Sequence, residues 1–243
     1  MQFNEHTGWW LPDGETHLVE WMTVSKQKCD GGRLGYQMHK LNRCMAEVPK
    51  RRRRVAVDVG AHVGLWSFPL AHRFDCVHAF EPMPEHQDCW YANMGQHSAA
   101  IEMPQLAVGA ETDVPALNAL LHGVALGENI RPVRIATRTP GSSGDTGVDV
   151  RGLEVEMRTL DSFELDKVDF IKVDTEGYEP FVIDGARETI ARCRPACIVV
   201  EQKPETGGAQ RYGTTVTAAV ELLESMGYRR AAVLQGDYIM VPR

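Results

Sequence analysis

No apolar run in the chain reaches the roughly 18 residues that a membrane-spanning helix needs, so no span is expected. The opening residues, MQFNEHTGWW, lack a basic segment followed by an apolar one, which is the pattern of a secretory leader. None of the six cysteines (Cys29, Cys44, Cys76, Cys89, Cys193 and Cys197) forms a C-x-x-C pair. Cys193 and Cys197 are spaced C-x-x-x-C across a proline, a poor zinc spacing. Reduced, buried thiols in a cytoplasmic protein are expected rather than a disulfide frame. No internal repeat is visible.

What is present suits a globular protein. Apolar residues make up 43% of 243, enough for one sizeable core. The net charge of −7 is uneven. Residues 1–54 hold 10 Lys and Arg against 6 Asp and Glu, and the rest of the chain is strongly acidic. The basic excess comes largely from Lys50 to Arg54. This run is either a solvated lead-in to the first strand or an anion contact. An acidic body argues against non-specific duplex binding.

Residues 1–24 carry three tryptophans around a Pro-Asp-Gly turn and read as a loop or short hairpin. Residues 36–49 have helical spacing, ended by Pro49. Residues 1–50 are therefore expected to form an N-terminal extension that covers the acceptor, and residues 51–243 the main domain. From residue 55 strands alternate with helices. Strands are expected at 55–59, 76–80, 101–108, 155–160, 168–173 and 196–201. Helices are expected at 64–73, 85–94, 180–192 and 214–226. A terminal hairpin covers 230–234 and 238–241. Residues 137–149, rich in Gly, Ser and Asp, read as a flexible loop and candidate lid. The pattern predicts an α/β fold with a mostly parallel sheet, helices on both faces and a C-terminal antiparallel hairpin.

The string VAVDVGAHVG, Val55 to Gly64, joins the first parallel strand to a helix. Gly60 allows the turn, Gly64 allows close helix packing, and the loop aims backbone N–H groups at a ligand. Glu81, 21 residues beyond Gly60, ends the next strand, where a carboxylate can bind ribose hydroxyls. A dinucleotide loop needs G-x-G-x-x-G, and here His62 replaces the middle glycine. Asp58 adds a negative charge that repels a pyrophosphate and suits a ligand bearing a sulfonium or ammonium, as S-adenosylmethionine (SAM) does. An NAD-linked enzyme is thereby disfavoured.

VDVGAHVGLWS, HAFEPMPEH, LAVGAE, VEMRTLDSF, VDFIKVDTEGYEPFVIDGA and RPACIVVE together resemble the FkbM family of SAM-dependent methyltransferases over roughly residues 55–203. The family typically has D-x-E-G-x-E after a strand, and usually Asn where this chain has His62. The resemblance implies a Rossmann-like class I methyltransferase fold with a seven-stranded sheet. It also implies O-methylation of a hydroxyl on a sugar, glycan or other small acceptor. SAM contacts are expected from Asp58, Gly60, His62, Gly64, Glu81 and Pro82.

Asp174 and Glu176 follow the strand that ends at Val173, at the position facing the transferred methyl group. A carboxylate there can orient an acceptor hydroxyl or take its proton. Alternatively Asp174, Glu176 and Glu201 could hold a divalent cation that acidifies the hydroxyl. Acids here could also cap the next helix, and Glu179 is the better cap. His17 is a candidate base, because its turn also carries Trp9, Trp10 and Asp13. Two further functions stay open. One is an RNA ribose 2′-O-methyltransferase, with Lys40, Asp174, Lys203 and an acid near Asp237 as its charged group. The other is a SAM-binding module without catalysis. No N-P-P-Y or D-P-P-Y string supports amino methylation of bases. Oligomeric state is not legible from sequence.

Overall fold

The structure, a computed structural model, describes residues 1–95, 118–202 and 208–243. The chain opens with two short antiparallel strands, β1 (Gln2–Asn4) and β2 (Trp9–Leu11). Where residues 1–24 are expected to form a loop or short hairpin, a helix follows, α1 (His17–Ser25). Its start is capped by Glu15, whose Oε1 accepts the Leu18 N–H at 2.9 Å. Leu18 and Met22 bury its inner face. Helix α2 (Met38–Met45) occupies the expected segment.

The alternating part then runs β3 (Val55–Val59), α3 (Ser67–Ala71), β4 (Cys76–Phe80), α4 (Pro84–Met94) and β5 (Ala119–His122). The strand expected at 101–108 lies outside the described residues. Four strands follow: β6 (Ala125–Leu126), β7 (Arg131–Thr137), β8 (Thr146–Val148) and β9 (Leu153–Arg158). They form a separate sheet in the order β6-β9-β7-β8. Part of the expected flexible stretch is therefore strand. Thr146–Val148 pairs antiparallel with β7. The loop left at 138–145 is tied internally, with Arg138 and Thr139 both bound to the Asp145 carboxylate.

The chain returns to the main sheet as β10 (Val168–Val173) and continues through α5 (Glu179–Asp184), α6 (Arg187–Cys193) and β11 (Cys197–Glu201). One helix was expected across 180–192, and two form. The break falls at Gly185, where a β-carbon would come within 1.9 Å of the Gly127 carbonyl oxygen. The backbone of the second sheet approaches too closely for an uninterrupted helix with a side chain there. Helices α7 (Gly208–Arg211) and α8 (Ala218–Ser225) precede the hairpin of β12 (Tyr228–Leu234) and β13 (Asp237–Pro242).

The main sheet has seven strands in the order β12-β13-β11-β10-β3-β4-β5. The β11, β10, β3, β4 and β5 neighbours are parallel, and β13 joins antiparallel. Alternate residues feed two cores. Ala56, Phe170, Cys197 and Val199 pack with α1 to α4, while Val57, Ile171, Ile198 and Val200 pack with α5, α6 and α8. Helices thus cover both faces. Residues 1–50 share the first of these cores. Trp9 is fully buried, and its ring N–H donates to the Leu34 carbonyl at 2.6 Å.

Strand β10 is buried along its whole length yet holds two charged residues. Each is compensated, as burial of a charge demands. Asp169 accepts from Arg52 Nε and from Arg54 Nε and Nη2, and also from the Arg54 backbone N–H. Arg53 donates to the Val48 and Met45 carbonyls. Most of the basic run is therefore spent inside the fold. The second charge, Lys172, belongs to the site. All six cysteines are free thiols. Among the described residues no helix is long and apolar enough to cross a membrane.

Candidate active site

A cavity of about 480 Å³ opens at the carboxyl ends of β3, β4, β10 and β11. Its lining includes Gly60, His62, Glu81 and Pro82 on one side, and Asp174, Glu176 and Glu201 on the other. The second sheet and its 138–145 loop form a further wall. His17, Tyr36 and Arg211 also line it. Asp58 and Gly64, expected as cofactor contacts, stand behind the wall instead. Asp58 is fully buried, accepts the Ser67 hydroxyl at 2.7 Å, and supports the loop from beneath.

The Gly60–Gly64 loop is shaped by backbone constraint. Gly60 has φ +72°, and a β-carbon on it would come within 1.9 Å of the Asp174 carbonyl oxygen. The two loops that build the site therefore touch through bare backbone. His62 also lies in the left-handed region, at φ +51°. Glu81 holds this turn: its carboxylate accepts from the His62 N–H, the Met83 N–H and His86 Nδ1. Burial, then the charges of His86 and Lys172, hold the His62 imidazole well below the ordinary histidine range.

Asp174, Glu176 and Glu201 come together, with carboxylate oxygens within 4.8 Å of one another. This is the donor set expected for a divalent cation. The loop that carries two of them is fixed by Glu179. Its Oε1 accepts from the Thr175 N–H at 2.8 Å and the Gly177 N–H at 3.0 Å. Glu179 thus organises the loop as well as opening α5. Burial pushes its carboxyl up to about 7, against the pull of those N–H donors.

Lys172 was overlooked at the sequence level. It is the direct register partner of Asp58 across β10 and β3. Its Nζ donates to the Gly60 carbonyl at 2.9 Å and lies 3.3 Å from Asp58 and 3.6 Å from Asp174. Burial alone would lower this ammonium, but Asp58, Asp174 and Glu201 outweigh it and hold the group above the ordinary lysine range. The signal is a lysine in a strand buried along its whole length. Tyr36 reports the same negative potential. Burial first, then Asp174, Glu201, Asp237 and Glu176, raise its hydroxyl.

Two members of the charged group expected for an RNA enzyme meet. Lys40 is buried against Asp237, with Nζ 2.8 Å from Oδ1, and Lys203 lies outside the described residues.

The Methyltransferase FkbM domain matches residues 58–230 of this chain. The chain belongs to the FkbM methyltransferase family. Its seven-stranded α/β sheet runs β12-β13-β11-β10-β3-β4-β5. Among solved structures it is similar to methyltransferase FkbM from Methylobacillus flagellatus KT. That likeness has 20% identity and a TM-score of 0.49, over 78% of this chain and 43% of the other. Monomeric WbdD is similar at 14% identity and a TM-score of 0.50, over 96% of this chain and 46% of the other. The O-methyltransferase from Bacillus cereus, in complex with SAH, is similar at 14% identity and a TM-score of 0.45, over 93% and 89%. The chain therefore spans less than half the length of the first two. No curated protein matches it in sequence.

Proposed function

We propose that this FkbM-family chain is a SAM-dependent O-methyltransferase whose acceptor is a hydroxyl of a sugar, glycan or other small hydroxylated molecule. The observation that carries this reading is the meeting of Asp174, Glu176 and Glu201 beside the Gly60–His62 loop in one cavity. The donor set fits SAM. Glu81 lines the cavity and suits a ribose hydroxyl, and the carboxylates suit a cationic sulfonium and ammonium. Bound SAM supplies a methyl group activated by the positive sulfur.

The chain's own residues then have three tasks. Gly60, His62, Glu81 and Pro82 hold the cofactor, with Asp58 and Gly64 setting the loop from behind. Asp174 and Glu176 orient the acceptor hydroxyl for in-line attack. One of these carboxylates, or His17 across the cavity, would receive the hydroxyl proton. An ordinary carboxylate is a weak base for a hydroxyl, so orientation supplies more of the rate than proton removal. Arg52 to Arg54 are engaged within the fold, which favours a small acceptor over RNA.

Tritiated SAM incubated with panels of sugars, glycolipids and RNA tests the assignment. Label is expected on a hydroxylated small molecule or glycan. Asp174→Asn should abolish transfer while SAM binding stays detectable by calorimetry. Label transferred only to RNA, or tight NAD binding without SAM binding, overturns the reading.

A further inference from the structure

One partly buried phenol at the cavity, Tyr36, has a hydroxyl whose direction the fold dictates. We propose that Tyr36 donates its hydroxyl proton to an oxygen of the acceptor, and that Gln37 is the positioning residue that aims it. The acceptor then carries a second oxygen beside the hydroxyl that is methylated. The inference rests on the function proposed above and narrows its acceptor to a polyoxygenated molecule such as a sugar.

The direction follows from a chain of three side chains. An indole N–H can only donate. Trp66 Nε1 lies 3.2 Å from Gln37 Oε1, so the amide oxygen faces Trp66 and the amide nitrogen faces Tyr36. Gln37 Nε2 donates to the Tyr36 hydroxyl oxygen at 3.2 Å. That oxygen is an acceptor on this side, and its own proton must turn away from Gln37. Among the described residues none receives this proton in a hydrogen bond. Tyr36 lines the same cavity as Asp174 and His17, where a ligand oxygen can meet it. The phenol is a donor at neutral pH, because burial first, then nearby carboxylates, raise it.

The aim is rigid. Gln37 is buried, and its backbone sits in the left-handed region at φ +52°, an uncommon conformation for a residue with a β-carbon. Its carbonyl accepts the Lys40 and Leu41 N–H groups at the start of α2. Lys40 is bonded in turn to Asp237. The Trp66 ring stacks on Phe170 of β10, with centroids 6.5 Å apart. On the other side the Tyr36 ring lies 4.8 Å from Trp21 of α1. Backbone strain over-determined by its surroundings in this way clusters at functional sites. A hydroxyl fixed in both place and direction suits recognition of one ligand oxygen. Attack on the methyl group uses a lone pair of the reacting oxygen, and a donor on that oxygen would oppose it. The Tyr36 proton therefore suits a neighbouring oxygen, which a sugar offers and a simple alcohol does not.

The test uses the full chain, tritiated SAM and the acceptor that the wild type methylates. Tyr36→Phe keeps the ring and removes only the hydroxyl. KM for the acceptor should rise about 5-fold, the scale of one net neutral hydrogen bond. The kcat, the SAM affinity by calorimetry and the melting temperature should hold, as expected for lost uniform binding. Gln37→Glu, assayed at about pH 8.5 where the introduced carboxyl is ionised, presents an oxygen to Tyr36 and draws its proton away from the cavity. Its KM should match that of Tyr36→Phe, and the double variant should be no worse than either. An unchanged acceptor KM in Tyr36→Phe overturns the proposal while methyl transfer itself stands. So does weakened SAM binding in Tyr36→Phe, which would give the hydroxyl to the cofactor, or efficient methylation of an acceptor with a single oxygen. If Gln37→Glu does not fold, Tyr36→Phe decides alone. If the wild type transfers no label to any hydroxyl, the proposed function falls and this inference falls with it.

Discussion

His62 Nε2 lies 2.8 Å from Ser143 Oγ, joining the cofactor loop to the loop between β7 and β8. The Ser143 hydroxyl and backbone N–H both donate to Glu15 Oε2. With that hydroxyl proton committed, His62 must donate, which fixes a neutral imidazole protonated at Nε2. The low proton affinity of the buried ring agrees with this assignment. Three distant segments are thus held together at the rim of the cavity.

Removing the middle of this chain should loosen the cofactor loop. Ser143→Ala leaves both His62 Nε2 and Glu15 short of a partner, at a cost of about 1–2 kcal/mol. The expected result is SAM affinity weaker by roughly 5–30-fold, with kcat at saturating SAM little changed. Titration calorimetry with SAM checks it. Unaltered affinity would show that the two loops are energetically independent.

The buried Asp169 gives a prediction about stability alone. Its side chain is fully buried, while the Arg52 and Arg54 side chains are 29% and 40% exposed. Asp169→Ala strands both guanidinium groups, although water reaches them in part. The expected loss is about 2–3 kcal/mol in urea unfolding, discounted for that exposure. KM for the acceptor should not move, because the arginines serve the fold. A change in acceptor affinity with intact stability would return the basic run to the binding surface.

The stacked pair His78 and His122 should set a pH limit on stability. His78 Nδ1 lies 3.0 Å from His122 Nε2, with the rings 5° from parallel. Burial first, then His78 and Arg158, lower His122 from 6.5 to about 4. Between these values the unfolded chain binds the proton and the folded chain does not. Stability therefore rises as pH climbs from about 4 to 6.5, is fully present above that window, and is lost on acidification through it. Thermal melting of His122→Asn at pH values across the window should show a flatter rise than the wild type. Parallel curves for the two proteins would remove His122 as the cause.

How much of this could be read from the sequence follows the range of the contacts. β3, β4, β10 and β11 are short runs dominated by apolar residues, and each falls close to where the pattern places it. The clustering of Asp174, Glu176 and Glu201 was also legible, because strand ends in a parallel sheet lie on one side. Helix α1 was missed because its apolar residues sit beside a turn-rich tryptophan segment. The second sheet was missed because β6 and β8 have only 2 and 3 residues, too short for a period. Glu15 and Ser143 are 128 residues apart, and no local pattern announces such a bond. Lys172 was visible as a letter, but its meaning needed the strand register that sets it opposite Asp58.

The two sheets divide the cavity between them. Gly60, Glu81 and the three carboxylates stand at the strand ends and loops of the seven-stranded sheet, whereas Ile135, Thr146 and Met157 enter from the four-stranded one. Under the proposed function, methyl transfer and choice of acceptor belong to separate parts of the architecture. Exchanging residues 125–158 between relatives is a route to retargeting such an enzyme, provided the graft keeps a serine within reach of His62.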